Sequence, residues 1–221
     1  MVIDNRIIEI IKSSFFPMFK AGIIYTIPLT LVSFAIGLLI AMIVALIQIS
    51  KHRILKQIAK FYAWIFRGTP LLVQLFIIFY GLPSAGIKIE PIPSAIIAFS
   101  LNVGAYSSET IRAAILSVPS GQWEASYSLG MNYIQTLVKT ILPQAAKVSI
   151  PPLFNSFISL VKDTSLATNI TVTEMFMETQ RIVARTYEPL VLYCEVGLIY
   201  LLFCTILTQV QKYSEKRLSI E

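Results

Sequence analysis

Three groups of side chains stand where chemistry is costly to place. Asn102, Tyr106 and Glu109 recur at i, i+4 and i+7 within an otherwise apolar run, and a helix would gather them within about 60° of one face. Arg112, three residues beyond Glu109, is placed to pair with it along that helix. An ionised group inside a membrane span costs on the order of 3 kcal/mol, so it marks either a polar passage or an internal ion pair. In a passage, Glu109 would meet an ammonium group while Asn102 or Tyr106 supplied hydrogen bonds. As an ion pair, Glu109 and Arg112 would only satisfy each other.

The second group is Lys162-Asp163-Thr164-Ser165, which closes the apolar run Val148–Val161. A run of fourteen residues is too short to cross a bilayer as a straight helix, so a broken or re-entrant segment is expected here. Broken helices leave dipoles and unpaired carbonyls where a transporter holds its cargo. A Lys-Asp pair beside two hydroxyls fits both ends of an amino acid, or the two charges pair with each other near the interface. The third group is the lone Glu195, about one turn into the last apolar run, which faces an outer vestibule or pairs with another subunit. Thr69 and Pro70 should kink the helix beside Arg67, itself a packing or headgroup contact.

No catalytic residue and no metal site are assigned. His52 sits among Lys51, Arg53 and Lys56 and reads as loop, since a metal needs several clustered ligands. Cys194 and Cys204 lie ten residues apart on one helix, about 15 Å by rise, and cannot bridge. No Gly-rich loop ending in Gly-Lys-Ser/Thr is present, so the chain is expected not to hydrolyse nucleotides.

The elements that must position these groups are membrane helices. Of 221 residues, 56% are hydrophobic and 14% charged, against about 25% charged in ordinary soluble domains. The length leaves room for about five or six spans, with no soluble domain appended. Residues 1–20 read as an amphipathic helix in the interface, carried by Ile3, Ile7, Ile8, Ile11, Phe15 and Phe16, and as a retained anchor rather than a signal peptide. Five crossings follow: Ala21–Ser50, about Phe61–Leu82 with an interruption at Arg67–Pro70, about Ile92–Ser117, the short fourth, and Pro189 to about Val210.

Orientation comes from the basic residues. Lys51, Arg53, Lys56 and Lys60 between the first two spans, and Lys212, Lys216 and Arg217 in the tail, belong in the cytoplasm. The N-terminus is then outside, where Arg6, Lys12 and Lys20 stand against Asp4 and Glu9. The net charge of +6 is mostly this asymmetry, which excludes nucleic acid as a partner and places residues 118–146 in the cytoplasm. There Pro119-Ser120-Gly121-Gln122 forms a turn, Trp123–Leu129 a short helix stopped by Gly130, and Tyr133–Ile141 another helix before Pro143. So long a segment in so small a protein suits docking.

Glu124-Ala125-Ser126, Gly130 and Leu142-Pro143 resemble the Glu-Ala-Ala, Gly, Leu-Pro signature of binding-protein-dependent ABC importer permeases. Two positions depart: Ser126 replaces the second Ala, and Thr140 the usual isoleucine. Phe66–Leu72 and Leu160–Leu166 resemble further signatures of the polar amino acid permease group. The resemblance implies an all-α, type I ABC importer permease fold, a single permease domain over residues 1–221, and a coupling helix built on Gly121, Glu124, Ala125, Ser126, Leu129 and Gly130. Asn102, Tyr106, Glu109, Lys162, Asp163, Thr164, Ser165, Thr69 and Glu195 are the candidates for the path.

The implied partners are a second permease copy or a homologous permease, two cytoplasmic ATPase subunits that bind ATP and Mg, and an extracytoplasmic solute-binding protein, all at a cell membrane. No cofactor is expected in this chain. Glu109 and Glu195 lean towards a basic amino acid or cystine as cargo. The rival reading is a secondary transporter or channel, which would carry no docking element and usually shows an internal repeat of spans.

Overall fold

The computed structural model describes residues 5–219, so Ile3 and Asp4 lie outside the described residues. Every element among them is helical. Helix α1 (Asn5–Ala21) runs through a π-turn (Gly22–Thr26) into α2 (Ile27–Ile49). Next come α3 (Arg53–Gly68) and α4 (Leu71–Phe76), the latter extended by a π-turn (Ile77–Gly81) and a 3-10 turn (Leu82–Ala85). Helix α5 (Pro91–Ser117) precedes two short helices, α6 (Ser120–Ser128) and α7 (Tyr133–Thr136). A π-turn (Leu137–Ile141) leads into α8 (Leu142–Asp163), followed by a 3-10 segment (Thr164–Ile170), α9 (Met175–Thr186) and α10 (Pro189–Ser219).

The three π-turns share one cause. Each is followed by one residue and then a proline: Ile27-Pro28, Leu82-Pro83 and Leu142-Pro143. Proline has no N–H and its ring clashes with the carbonyl four residues back. In each case the residue before the proline donates five residues back instead, Ile27 to Gly22, Leu82 to Ile77 and Leu142 to Leu137. The widened turn absorbs the proline without ending the helical run.

Three sequence expectations change accordingly. The interfacial helix and the first span are one unbroken run, Asn5–Ile49. Tyr133–Ile141 does not stop before Pro143 but continues into α8, because the π-turn carries the chain past it. The fourth apolar run is not broken within itself: α8 recruits Leu142–Lys147, and its 22 residues rise about 33 Å. The departure from α geometry comes after it, at Thr164, where the 3-10 segment begins.

The second span also differs. Phe61–Phe66 belong to α3, which is separated from the apolar Leu71–Ala85 by extended backbone at Thr69 (φ −119°, ψ 146°), the conformation that a following proline imposes. Two helical runs, Asn5–Ile49 and Pro189–Arg217, are long and apolar enough to cross a membrane, and the broken pair around Thr69-Pro70 makes a third if counted as one span.

The chain gathers into two compact units. One contains the described residues up to Phe34, with Leu71–Phe99 and Phe157–Gln209. Its core joins α1, α9 and α10 through Met18, Met175, Leu192, Val196, Ile199 and Phe203. Glu174 N-caps α9, accepting from the Phe176 and Met177 amides at 2.9 and 2.7 Å and from the Tyr200 hydroxyl at 3.1 Å. Burial pushes its carboxyl up to about 7 against the pull of those donors.

The other unit contains Ala35–Pro70, Ser100–Ser156 and the residues from Val210 on. Its core packs Ala41, Ala45, Ile111, Ala114, Ile115, Leu137 and Ile141. Large aliphatics such as Leu39, Ile43 and Leu116 stay bare on its outside, as lipid-facing positions do. Close approach of α2 and α5 depends on glycine: a Cβ at Gly104 would lie 2.7 Å from both Ile40 Cγ2 and the Tyr62 hydroxyl. Small residues let helices meet closely where no hydrophobic drive exists within lipid. Gly104→Leu is therefore expected to lower the melting temperature of the purified protein by at least several degrees, about 1–3 kcal/mol of overpacking, measured by thermal unfolding in detergent.

Candidate functional site

The stop at Thr69-Pro70 explains the polar stripe on α5. A helix end leaves its last carbonyls without intrahelical partners, and each of three finds a side chain. The Ile65 carbonyl accepts from the Thr69 hydroxyl at 2.8 Å, the Phe66 carbonyl from the Asn102 amide at 3.3 Å, and the Arg67 carbonyl from the Tyr106 hydroxyl at 3.3 Å. Tyr62 adds a return bond to the Leu101 carbonyl at 2.6 Å. The stripe thus caps α3.

Glu109 extends the same network. One of its carboxylate oxygens accepts from Arg112 Nη2 at 2.7 Å and Nε at 3.2 Å, with Arg67 Nη1 at 3.9 Å. The Arg67 guanidinium also lies 5.7 Å from the centroid of the Tyr106 ring. Thr69, Asn102, Tyr106 and Glu109 therefore form one constellation, held together by the broken helix.

Lys162, Asp163, Thr164, Ser165 and Glu195 belong to the other compact unit. The Thr164 hydroxyl is buried and donates to the Val161 carbonyl at 2.8 Å, and the Ser165 hydroxyl donates to the Lys162 carbonyl at 2.7 Å. Both hydroxyls ease the change from α to 3-10 geometry. Lys162 is exposed and Asp163 half-buried, and no ion pair joins either to another described residue. Glu195 is buried and accepts from the Ser14 hydroxyl at 2.6 Å.

In the segment 118–146, α6 ends where Gly130 interrupts it and α7 begins three residues later. Gly130 adopts φ +79°, its amide donates to Tyr127 and the Met131 amide to Ser126, forming a Schellman stop at the end of α6. Gly121, Glu124, Ala125, Leu129 and Gly130 are exposed, Leu129 by 81%. Ser126 alone is buried, and its hydroxyl donates to the Thr140 hydroxyl at 3.0 Å. The two positions that depart from the signature are hydrogen-bonded to each other. Trp123 stacks on Tyr133 at 5.9 Å, tying α6 to α7.

The sequence reading passed over Gln48, a buried amide at the end of α2 beside Glu109, and Glu174, the buried cap of α9. Glu174 followed by an amphipathic run carried the signal of a helix start; Gln48 at the end of a long apolar run carried none.

Residues 37–220 match the family described as binding-protein-dependent transport system inner membrane component. The L-cystine transport system permease protein TcyB of Bacillus subtilis is 54% identical over 211 residues, covering 95% of this chain and 90% of that protein. The arginine transport system permease protein ArtQ of the same organism is 38% identical, covering 91% and 93%. A crystal structure of an amino acid ABC transporter with histidines superposes with a TM-score of 0.89 at 33% identity, covering 98% of this chain and 100% of that one. The MetNI methionine transporter, at 18% identity and a TM-score of 0.72, shares the fold.

Two substitutions probe the segment 118–146. Ser126→Ala alone should cost about 1 kcal/mol by orphaning the Thr140 hydroxyl, whereas Ser126→Ala with Thr140→Ile should recover most of it, read by thermal unfolding in a double-mutant cycle. Gly130→Val forces a β-branched residue to φ +79° at a cost of about 1–2 kcal/mol; transport should fall away while membrane insertion, read by fractionation, stays normal.

Proposed function

The chain belongs to the family of binding-protein-dependent transport system inner membrane components, and from that premise we propose that it is the membrane subunit of an ATP-driven importer of cystine. The single observation that carries the cargo is the 54% identity with an L-cystine permease over 95% of this chain. Cystine has two ammonium and two carboxylate groups. The free charges of Lys162 and Asp163, set where α8 passes into 3-10 geometry, suit one such pair. On this reading those residues, with Thr164 and Ser165, line the path, whereas Asn102, Tyr106, Glu109 and Thr69 hold the frame and Glu195 braces α1 through Ser14.

Energy enters through partners. We read Gly121–Gly130 as the element that seats in a groove of a cytoplasmic ATPase, which binds ATP and Mg, while a solute-binding protein delivers cargo outside. Two permease chains, identical or homologous, would enclose one path with two ATPases. Five crossings with the N-terminus outside agree with the basic residues at 51–60 and 212–217. The bare Leu129, Ile134 and Val138 support docking, since a patch of this kind on a loop outside the spans needs a cover.

Uptake by proteoliposomes holding the full complex tests this. Unlabelled cystine in excess should abolish uptake of labelled cystine, and excess arginine should leave more than about half. Equal block by arginine would overturn the cargo, and uptake that persists without ATP would overturn the energy source.

A further inference from the structure

A pocket of about 380 Å³ lies where α2, α3 and α5 meet, lined by Gln48, Lys56, Lys60, Glu109, Arg112 and Leu116. Its charge is unbalanced. Glu109 is already engaged by Arg112 at 2.7 Å and Arg67 at 3.9 Å. Lys56 and Lys60 have no ion-pair partner among the described residues. Gln48, 2% exposed, closes the pocket wall beside Glu109.

The surplus of two ammonium groups calls for an anion, and their position says which kind. On α3, Lys56, Lys60 and Arg67 fall within about 40° of one another. Nearly opposite lie Ile54, Ile58 and Phe61, exposed by 75, 60 and 59%. A helix with a bare apolar face and a basic one lies in the membrane interface with its lysines at headgroup depth. We propose that this pocket binds a phosphate group, presented by an anionic phospholipid headgroup or by a soluble phosphate ester. Lys56 and Lys60 supply charge-assisted hydrogen bonds to its oxygens. The proposal does not depend on which solute is carried.

The test uses the purified full complex in detergent and native mass spectrometry to read binding of dioctanoyl phosphatidylglycerol, dioctanoyl phosphatidylcholine and glycerol 3-phosphate. Phosphatidylglycerol should bind in preference to phosphatidylcholine. Lys56→Gln with Lys60→Gln should weaken it about 30-fold, and Lys56→Gln alone about fivefold; Lys56→Arg with Lys60→Arg should retain it. Glycerol 3-phosphate binding as tightly as the lipid, with the same loss in the variants, assigns the site to a soluble ester. The proposal falls if neither phosphate compound binds better than phosphatidylcholine, or if Lys56→Gln, alone or in the double variant, binds as the unaltered protein does. The single variant changes one half-exposed side chain, so it serves even if the double variant fails to fold.

Discussion

Lipid supplies no hydrogen bonds, and much of this structure follows from that. Every backbone N–H and C=O at membrane depth must find a partner within the protein, yet the chain contains 11 prolines. Two remedies recur. Ahead of Pro28, Pro83 and Pro143 a π-turn moves the amide bond one residue back, whereas Pro17, Pro151 and Pro152 sit inside α-helix without one. Where Pro70 ends α3, side chains from α5 take up the carbonyls that the lost turn would have satisfied.

The second remedy changes the meaning of the polar stripe. Asn102 and Tyr106 reach main-chain carbonyls, groups that substitution elsewhere cannot remove. Glu109 faces Arg112 at 2.7 Å and Arg67 at 3.9 Å, so its own negative charge is matched within the protein. Polarity inside a span is thus a weaker sign of a passage than polarity left unmatched. By that standard Lys162 and Asp163, and separately Lys56 and Lys60, differ from the stripe: no ion pair joins any of them to another described residue.

Much of this was legible in the sequence, because some signals are local. The Glu124–Gly130 signature, the glycine stop and the positions of Lys162–Ser165 depend on near neighbours in the chain. The i, i+4, i+7 spacing of Asn102, Tyr106 and Glu109 correctly set them on one face, and the Glu109–Arg112 pair forms as expected. What faced the stripe was hidden, since it depended on α3 ending at Gly68 thirty-four residues earlier in the chain. The apolar content of Phe61–Leu82 concealed that end: hydropathy averages across Thr69-Pro70, whereas the backbone does not.

The departures Ser126 and Thr140 show the same limit from the other side. Taken singly, each replaces an apolar residue with a hydroxyl in a helix, a change that looks neutral or mildly unfavourable. Fourteen residues apart and on different elements, they declare themselves a pair only once α6 folds back on the Leu137–Ile141 turn. A hydroxyl pair is directional where a methyl contact is not. With Ser126 buried and Thr140 half-buried, it ties one face of α6 to the Leu137–Ile141 turn and leaves Glu124, Ala125 and Leu129 exposed.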